Sequence, residues 1–91
     1  MSGAIDEGPY VDGRFLELVV EEAAEVIQSI MKIRRFGILD RHPCTDVTNY
    51  NRLCCEIGDL LEVIDRLELD KTLIEQGRET KKVKLIRYGP R

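Results

Sequence analysis

Two acidic pairs constrain this chain more than any other feature. Glu22 with Glu25, and Glu56 with Asp59, each stand three residues apart inside an otherwise apolar stretch. At about 100° per residue, that spacing places both members of a pair on one face of a helix. Two such faces opposed would gather four carboxylates. Like charges one helical turn apart cost about 0.2–0.5 kcal/mol even at a surface. Desolvated, they cost far more unless a cation neutralises them. A hard divalent ion, Mg²⁺ or Mn²⁺, is the simplest account of such a set.

The rest of the chain supports helices. Residues 1–12, with Gly3, Gly8 and Pro9, read as an irregular arm. Asp12 is a suitable N-cap for a helix over about 13–36, with Gly37 as its stop. Within it Leu16, Val19, Val20, Ala23, Ile27, Ile30 and Met31 form an apolar arc of about half the circumference. A loop over 38–47 contains Asp40, Pro43 and Asp46. Thr48 then caps a second helix, about 48–68, whose apolar stripe is Tyr50, Leu53, Cys54, Ile57, Leu60, Leu61 and Ile64. Asp70 caps a third, about 70–88, ended by Gly89-Pro90; Gly77 and a blurred apolar period weaken it. With no strand pattern or repeat, the expectation is one all-α domain spanning 1–91. Arcs this broad exceed what one small monomer covers, so a helical bundle completed by oligomerisation is expected.

Composition excludes several classes. Apolar residues make up 43% of the 91 and charged residues 34%, enough for one core with solvated helix faces. A net charge of −3 provides no basic field for nucleic acid. No apolar run approaches the ~20 residues of a membrane span, and nothing resembles a signal peptide. The three cysteines, Cys44, Cys54 and Cys55, are expected to be buried, reduced thiols in a cytoplasmic protein. His42 is the lone histidine and has no partner at zinc spacing; a structural or exposed role is expected.

On the first helix Leu18, Glu22, Glu25 and Ser29 share a seam bordering the apolar arc, and Glu21 lies about 40° from Glu25. On the second helix the matching seam is Arg52, Glu56, Asp59 and Val63. Antiparallel packing lets these edges meet. One Glu-x-x-Glu pair is ordinary on a charged helix. Two pairs at one spacing, both at a core border and with Ala23-Ala24 and Gly58 leaving room, favour a shared site over solvated acids.

The pattern Glu22-x-x-Glu25, a gap, then Glu56-x-x-Asp59 resembles the signature of the MazG-like all-α nucleoside triphosphate pyrophosphohydrolases. The surrounding EEAAEVIQSIMKIRRFG and NYNRLCCEIGDLLEVIDRL are similar to short phage and bacterial members, and the likeness covers about 14–88. The resemblance implies a hydrolase that converts a (d)NTP to (d)NMP and pyrophosphate in a dimeric or tetrameric bundle, using two or three Mg²⁺ or Mn²⁺ ions per site. It implies Glu22, Glu25, Glu56 and Asp59 as metal ligands, and Glu21 as the extra acid that orients water or holds a further metal. Metals would neutralise the triphosphate and lower the pKa of a water for in-line attack. The chain lacks Trp, so Tyr10, Tyr50 or an Ile would line the base pocket.

Triphosphate recognition also needs cations. Lys32, Arg52, Lys81 and Lys84 are the candidates, with Arg78 and Lys82 beside the latter two. Asn49 and Asn51 are expected to serve the start of the second helix, with a substrate hydrogen bond as the alternative. The reading is therefore a (d)NTP diphosphatase of the cytoplasm, that of the infected host if the chain is viral, acting on a purine nucleotide such as dGTP. Its rivals are a dUTP or dCTP pyrophosphatase of the same fold and a non-catalytic helical interaction module.

Overall fold

Each helix starts at a side chain that satisfies its unpaired amides. In a computed structural model describing residues 10–41 and 43–90, α1 (Gly13–Phe36), α2 (Asn49–Arg66) and α3 (Lys71–Tyr88) are the regular elements, with no strands among the described residues. Residues 1–9 of the expected arm, and His42, lie outside the described residues. Asp12 caps α1, accepting from the Arg14 amide at 2.9 Å, while the Arg14 guanidinium reaches Asp12 at 2.8 Å. Thr48 caps α2 by accepting from the Asn51 amide at 3.1 Å, and Asp70 caps α3 by accepting from Leu73 at 3.1 Å. Gly37 ends α1 at φ +102°, a conformation suited to glycine, and its amide donates to the Ile33 carbonyl.

The connection over 37–48 folds α2 back along α1. The Asn49 amide donates to the Asp40 carbonyl (2.8 Å) and the Tyr50 amide to the Ile38 carbonyl (2.9 Å). Asn49 Nδ2 donates to the Gly37 carbonyl at 2.9 Å, and a lone antiparallel bridge joins Arg41 to Thr48. These ties set the register of an antiparallel α1–α2 hairpin.

The rows that α1 and α2 bury against each other are Phe15, Val19, Glu22, Val26, Ser29, Ile33 and Asn49, Leu53, Glu56, Leu60, Val63, Leu67. Both step by four, three, four, three and four, the repeat that keeps one seam facing a partner helix. Four of the twelve positions are polar. Leu67 is the one buried apolar residue among those described, at 8% exposure.

This corrects the expected packing faces. Of the α1 arc only Val19 and Ala23 turn toward α2; Leu16, Val20, Ile27, Ile30 and Met31 stay exposed, Val20 at 69%. On α2, Tyr50, Cys54, Ile57 and Leu61 are exposed likewise. The exposed stripes lie about 110–120° round from each buried row, in the same rotational sense. In antiparallel helices, equal rotations lead to the same side, so the two stripes form one apolar side of the hairpin. The helices meet at the border of their arcs, which draws the acidic seams into the contact.

The thiols are a second correction. Cys44, Cys54 and Cys55 are free and exposed, because none lies on a buried row. Finally, α3 packs against neither α1 nor α2, and every residue from Lys71 to Tyr88 is exposed. No described helix is long and apolar enough to cross a membrane.

Candidate metal centre

Glu22 and Glu56 occupy equivalent mid-seam positions on facing helices, so the hairpin brings their carboxylates together. Asp59, one turn beyond Glu56, joins them: one oxygen from each of Glu22, Glu56 and Asp59 lies within 4.8 Å of the other two. Glu22 and Glu56 are half-buried and Asp59 is exposed. Oxygens on opposite sides of Mg²⁺ stand about 4.2 Å apart, twice the ordinary Mg–O distance. Only one pair of the three can stand opposite in that way, and the remaining pairs around an octahedral ion close to about 3 Å, so the side chains would draw in around a shared ion. Three carboxylates with no nitrogen or sulfur beside them form a hard donor set, which fits Mg²⁺ or Mn²⁺.

The electrostatics are those of acids held too close. Glu22 is pushed above the ordinary glutamate range, first by loss of solvent and then by the charges of Glu25, Asp59 and Glu21. Glu56 is pushed the same way by desolvation, by the charge of Glu25, by a carboxyl–carboxylate hydrogen bond with Glu25, and by Asp59; Arg52 opposes the shift. A bound cation would reverse this penalty.

Glu25 is exposed yet near enough to hydrogen-bond Glu56, so the four acids of the double signature converge with one at the rim. Glu21 is exposed and turned further out, influencing the centre through Glu22. Arg52, half-buried one turn before Glu56, stands at the edge of the cluster. Lys32 lies about ten residues along the same edge of α1, lining a cavity with Phe36, Asp40, Arg41, Pro43 and Asn49. Lys81 and Lys84 are on α3, and the structure does not bring them to the acids within one chain. Tyr10 is exposed at the start of the described chain, and Tyr50 faces the apolar side, away from the acids.

Sequence reasoning missed two residues here. Asn49 was expected to serve its own helix start or a substrate hydrogen bond, and its role in fastening the end of α1 was not foreseen. Phe36 carried no signal beyond ending a helix, and it becomes a cavity wall. Both roles depend on the path of the connection, which no local pattern encodes.

No protein-family model matches the chain, and no curated protein or solved structure matches it.

Proposed function

We propose that the chain is a metal-dependent nucleoside triphosphate diphosphatase, working as a homo-oligomer and related to the MazG-like enzymes its double acidic signature resembles. The observation that carries this reading is the approach of Glu22, Glu56 and Asp59 to within 4.8 Å, with Glu25 against Glu56. Loss of solvent and the neighbouring charges push Glu22 and Glu56 above their ordinary pKa, and that cost is tolerable where a cation resides.

Glu22, Glu56 and Asp59 hold the ion or ions, and Glu25 completes the set at the rim. Bound Mg²⁺ or Mn²⁺ supplies charge neutralisation for the triphosphate and a lowered pKa for the attacking water. Cleavage between the α- and β-phosphates adds water's hydroxyl to phosphorus and expels pyrophosphate. The water's proton passes to a neighbouring carboxylate, for which Glu21, outside the four-acid set, is the candidate. Arg52 and Lys32 lie on the same edge and meet phosphate oxygens. A purine substrate such as dGTP is the favoured one.

The homo-oligomer rests on the apolar side of the hairpin. Leu16, Val20, Ile27, Ile30, Met31, Tyr50, Ile57 and Leu61 are each 40–69% exposed. At about 150–200 Å² for a large side chain, the patch measures on the order of 700 Å², close to one partner's share of a standard interface. It exceeds what monomers ordinarily leave bare. A second hairpin of the same pattern would close a four-helix bundle and leave the acidic side open.

The test is a pyrophosphate-release panel over the eight common NTPs and dNTPs with Mg²⁺, Mn²⁺ or EDTA. Release from one or two substrates, abolished by EDTA, is the expected result. Silence across the panel, with no metal effect on melting, would leave the chain an interaction module.

A further inference from the structure

Two helical turns from the acids, the hairpin encloses space that the metal chemistry does not use. A cavity of about 340 Å³ lies between the last turns of α1 and the 37–49 connection, walled by Lys32, Phe36, Asp40, Arg41, Pro43 and Asn49. It opens on the acidic side: Lys32 is about 20° from Glu25 on the α1 wheel, and Asn49 shares the α2 row of Glu56. Seven residues separate each of these pairs, a rise of about 10 Å. That matches the reach from the α-phosphate of a nucleotide to its base.

The walls have the chemistry of a base site. Phe36 offers an aromatic ring at 59% exposure, with the Arg35 guanidinium 5.3 Å from its centroid. A base stacks favourably on such a ring whatever its identity, because every base has a π-face. Asn49 is only 7% exposed, and its Nδ2 is fixed by the Gly37 carbonyl, while among the described residues its Oδ1 accepts no hydrogen bond. A buried acceptor left unsatisfied is costly, and here it lines a cavity. Arg41 adds a donor, and Asp40 a further acceptor. A ring N–H beside a keto oxygen complements that set.

We infer that this cavity receives the nucleobase, with Phe36 as its stacking platform and Asn49 as its reading group, and that it prefers a keto base, guanine before adenine. The inference rests on the diphosphatase reading and deepens it. Neither tyrosine considered from sequence is needed for base contact.

Steady-state kinetics of Phe36→Ala and Arg41→Ala against the wild-type chain test it, with the Mn²⁺-induced rise in melting temperature measured on each. Both positions are exposed, so folding should survive, and circular dichroism checks that. KM for the best nucleotide should rise at least tenfold in Phe36→Ala with kcat within about threefold, preference between guanine and adenine should shrink, and the Mn²⁺ response should be unchanged. Unchanged KM and base preference in both variants, with the wild type active, would overturn the base site and leave the diphosphatase standing. A wild type that releases no pyrophosphate from any nucleotide would overturn both.

Discussion

α2 and α3 are each 18 residues long and each begins at a side-chain cap, yet they end in different circumstances. α2 lies against α1 along its whole length, whereas α3 touches neither helix. The difference is in periodicity. α2 repeats buried positions every three or four residues from Asn49 to Leu67. In α3 the apolar residues Leu73, Ile74, Val83, Leu85, Ile86 and Tyr88 are split by a polar middle, Glu75 to Lys82, and point around the axis. Its local support includes the Asp70 cap, the Thr80 hydroxyl donating to the Gln76 carbonyl at 3.0 Å, and exposed ion pairs such as Lys82–Glu79 at 2.7 Å and Arg78–Glu75 at 3.9 Å, which contribute little in solvent. Capping and propensity are sufficient to start a helix, while a seam is needed to hold it, since isolated helices of this length are marginal in water. The hairpin thus contains the acid cluster, and α3 packs on neither of its helices.

The largest expected effect tests the hairpin half of this contrast. Glu56→Gln keeps the size of the side chain and removes one mid-seam charge. Turnover should fall more than about 100-fold, beyond the loss typical of a residue merely supporting a metal ligand, while helical content stays the same. Full activity in that variant would remove the metal centre from the argument.

Next in size is the apolar side. Leu61→Glu places a charge in the middle of the exposed stripe without touching the α1–α2 rows. Self-association measured by sedimentation equilibrium should weaken at least about 30-fold, equivalent to about 2 kcal/mol. An unchanged mass distribution would mean that this side is not the interface between copies.

A smaller effect sharpens the comparison directly, because both helices carry a central glycine with open space around the missing methyl: Gly58 in α2 and Gly77 in α3. Alanine at either should stabilise its helix by about 0.5–1 kcal/mol. Only Gly77→Ala should add helical signal by circular dichroism, since α2 is already held by packing. Equal responses at the two sites would show that α3 is as well anchored as α2.

The smallest effect is in pH. Glu22 and Glu56 have folded-state pKa values raised above the ordinary 4.5, so the folded metal-free chain holds protons that the unfolded chain releases. Their stabilising contribution is complete below 4.5 and is lost as pH rises through the raised values. Glu79 and Asp12 are lowered by Lys82 and Arg14 respectively and act in the opposite sense, so the wild-type curve alone is a mixture. The difference between Glu56→Gln and wild type isolates the site. With EDTA present, the variant's melting temperature should gain on the wild type by a few degrees at most between about pH 4 and 7, and saturating Mn²⁺ should reverse the order at neutral pH.

Much of this was legible in the residues. Asp12, Thr48 and Asp70 were read as caps and are caps, because a cap depends on three or four neighbouring residues. The approach of Glu22, Glu56 and Asp59 was legible too, since equal spacing on two antiparallel helices brings one edge to another. Less legible was the inward face. Val20 and Ile27 are as apolar as Val19 and Val26, and hydrophobicity alone ranks neither pair above the other. The choice follows from where Asn49 clips onto Gly37, which sets the rotation of α2 about α1. The same rotation left the cysteines exposed, against expectation.

By itself, then, the sequence determined the helices, their ends and the pairing of acids along each one, because these depend on contacts within a turn or two of the backbone. Tertiary structure alone decided which apolar face closed, that Lys81 and Lys84 stand apart from the acids, and that Phe36 and Asn49 wall a cavity. Those outcomes depend on how one helix is rotated against another, and that is set by a handful of hydrogen bonds across residues 37–50 that no periodicity records.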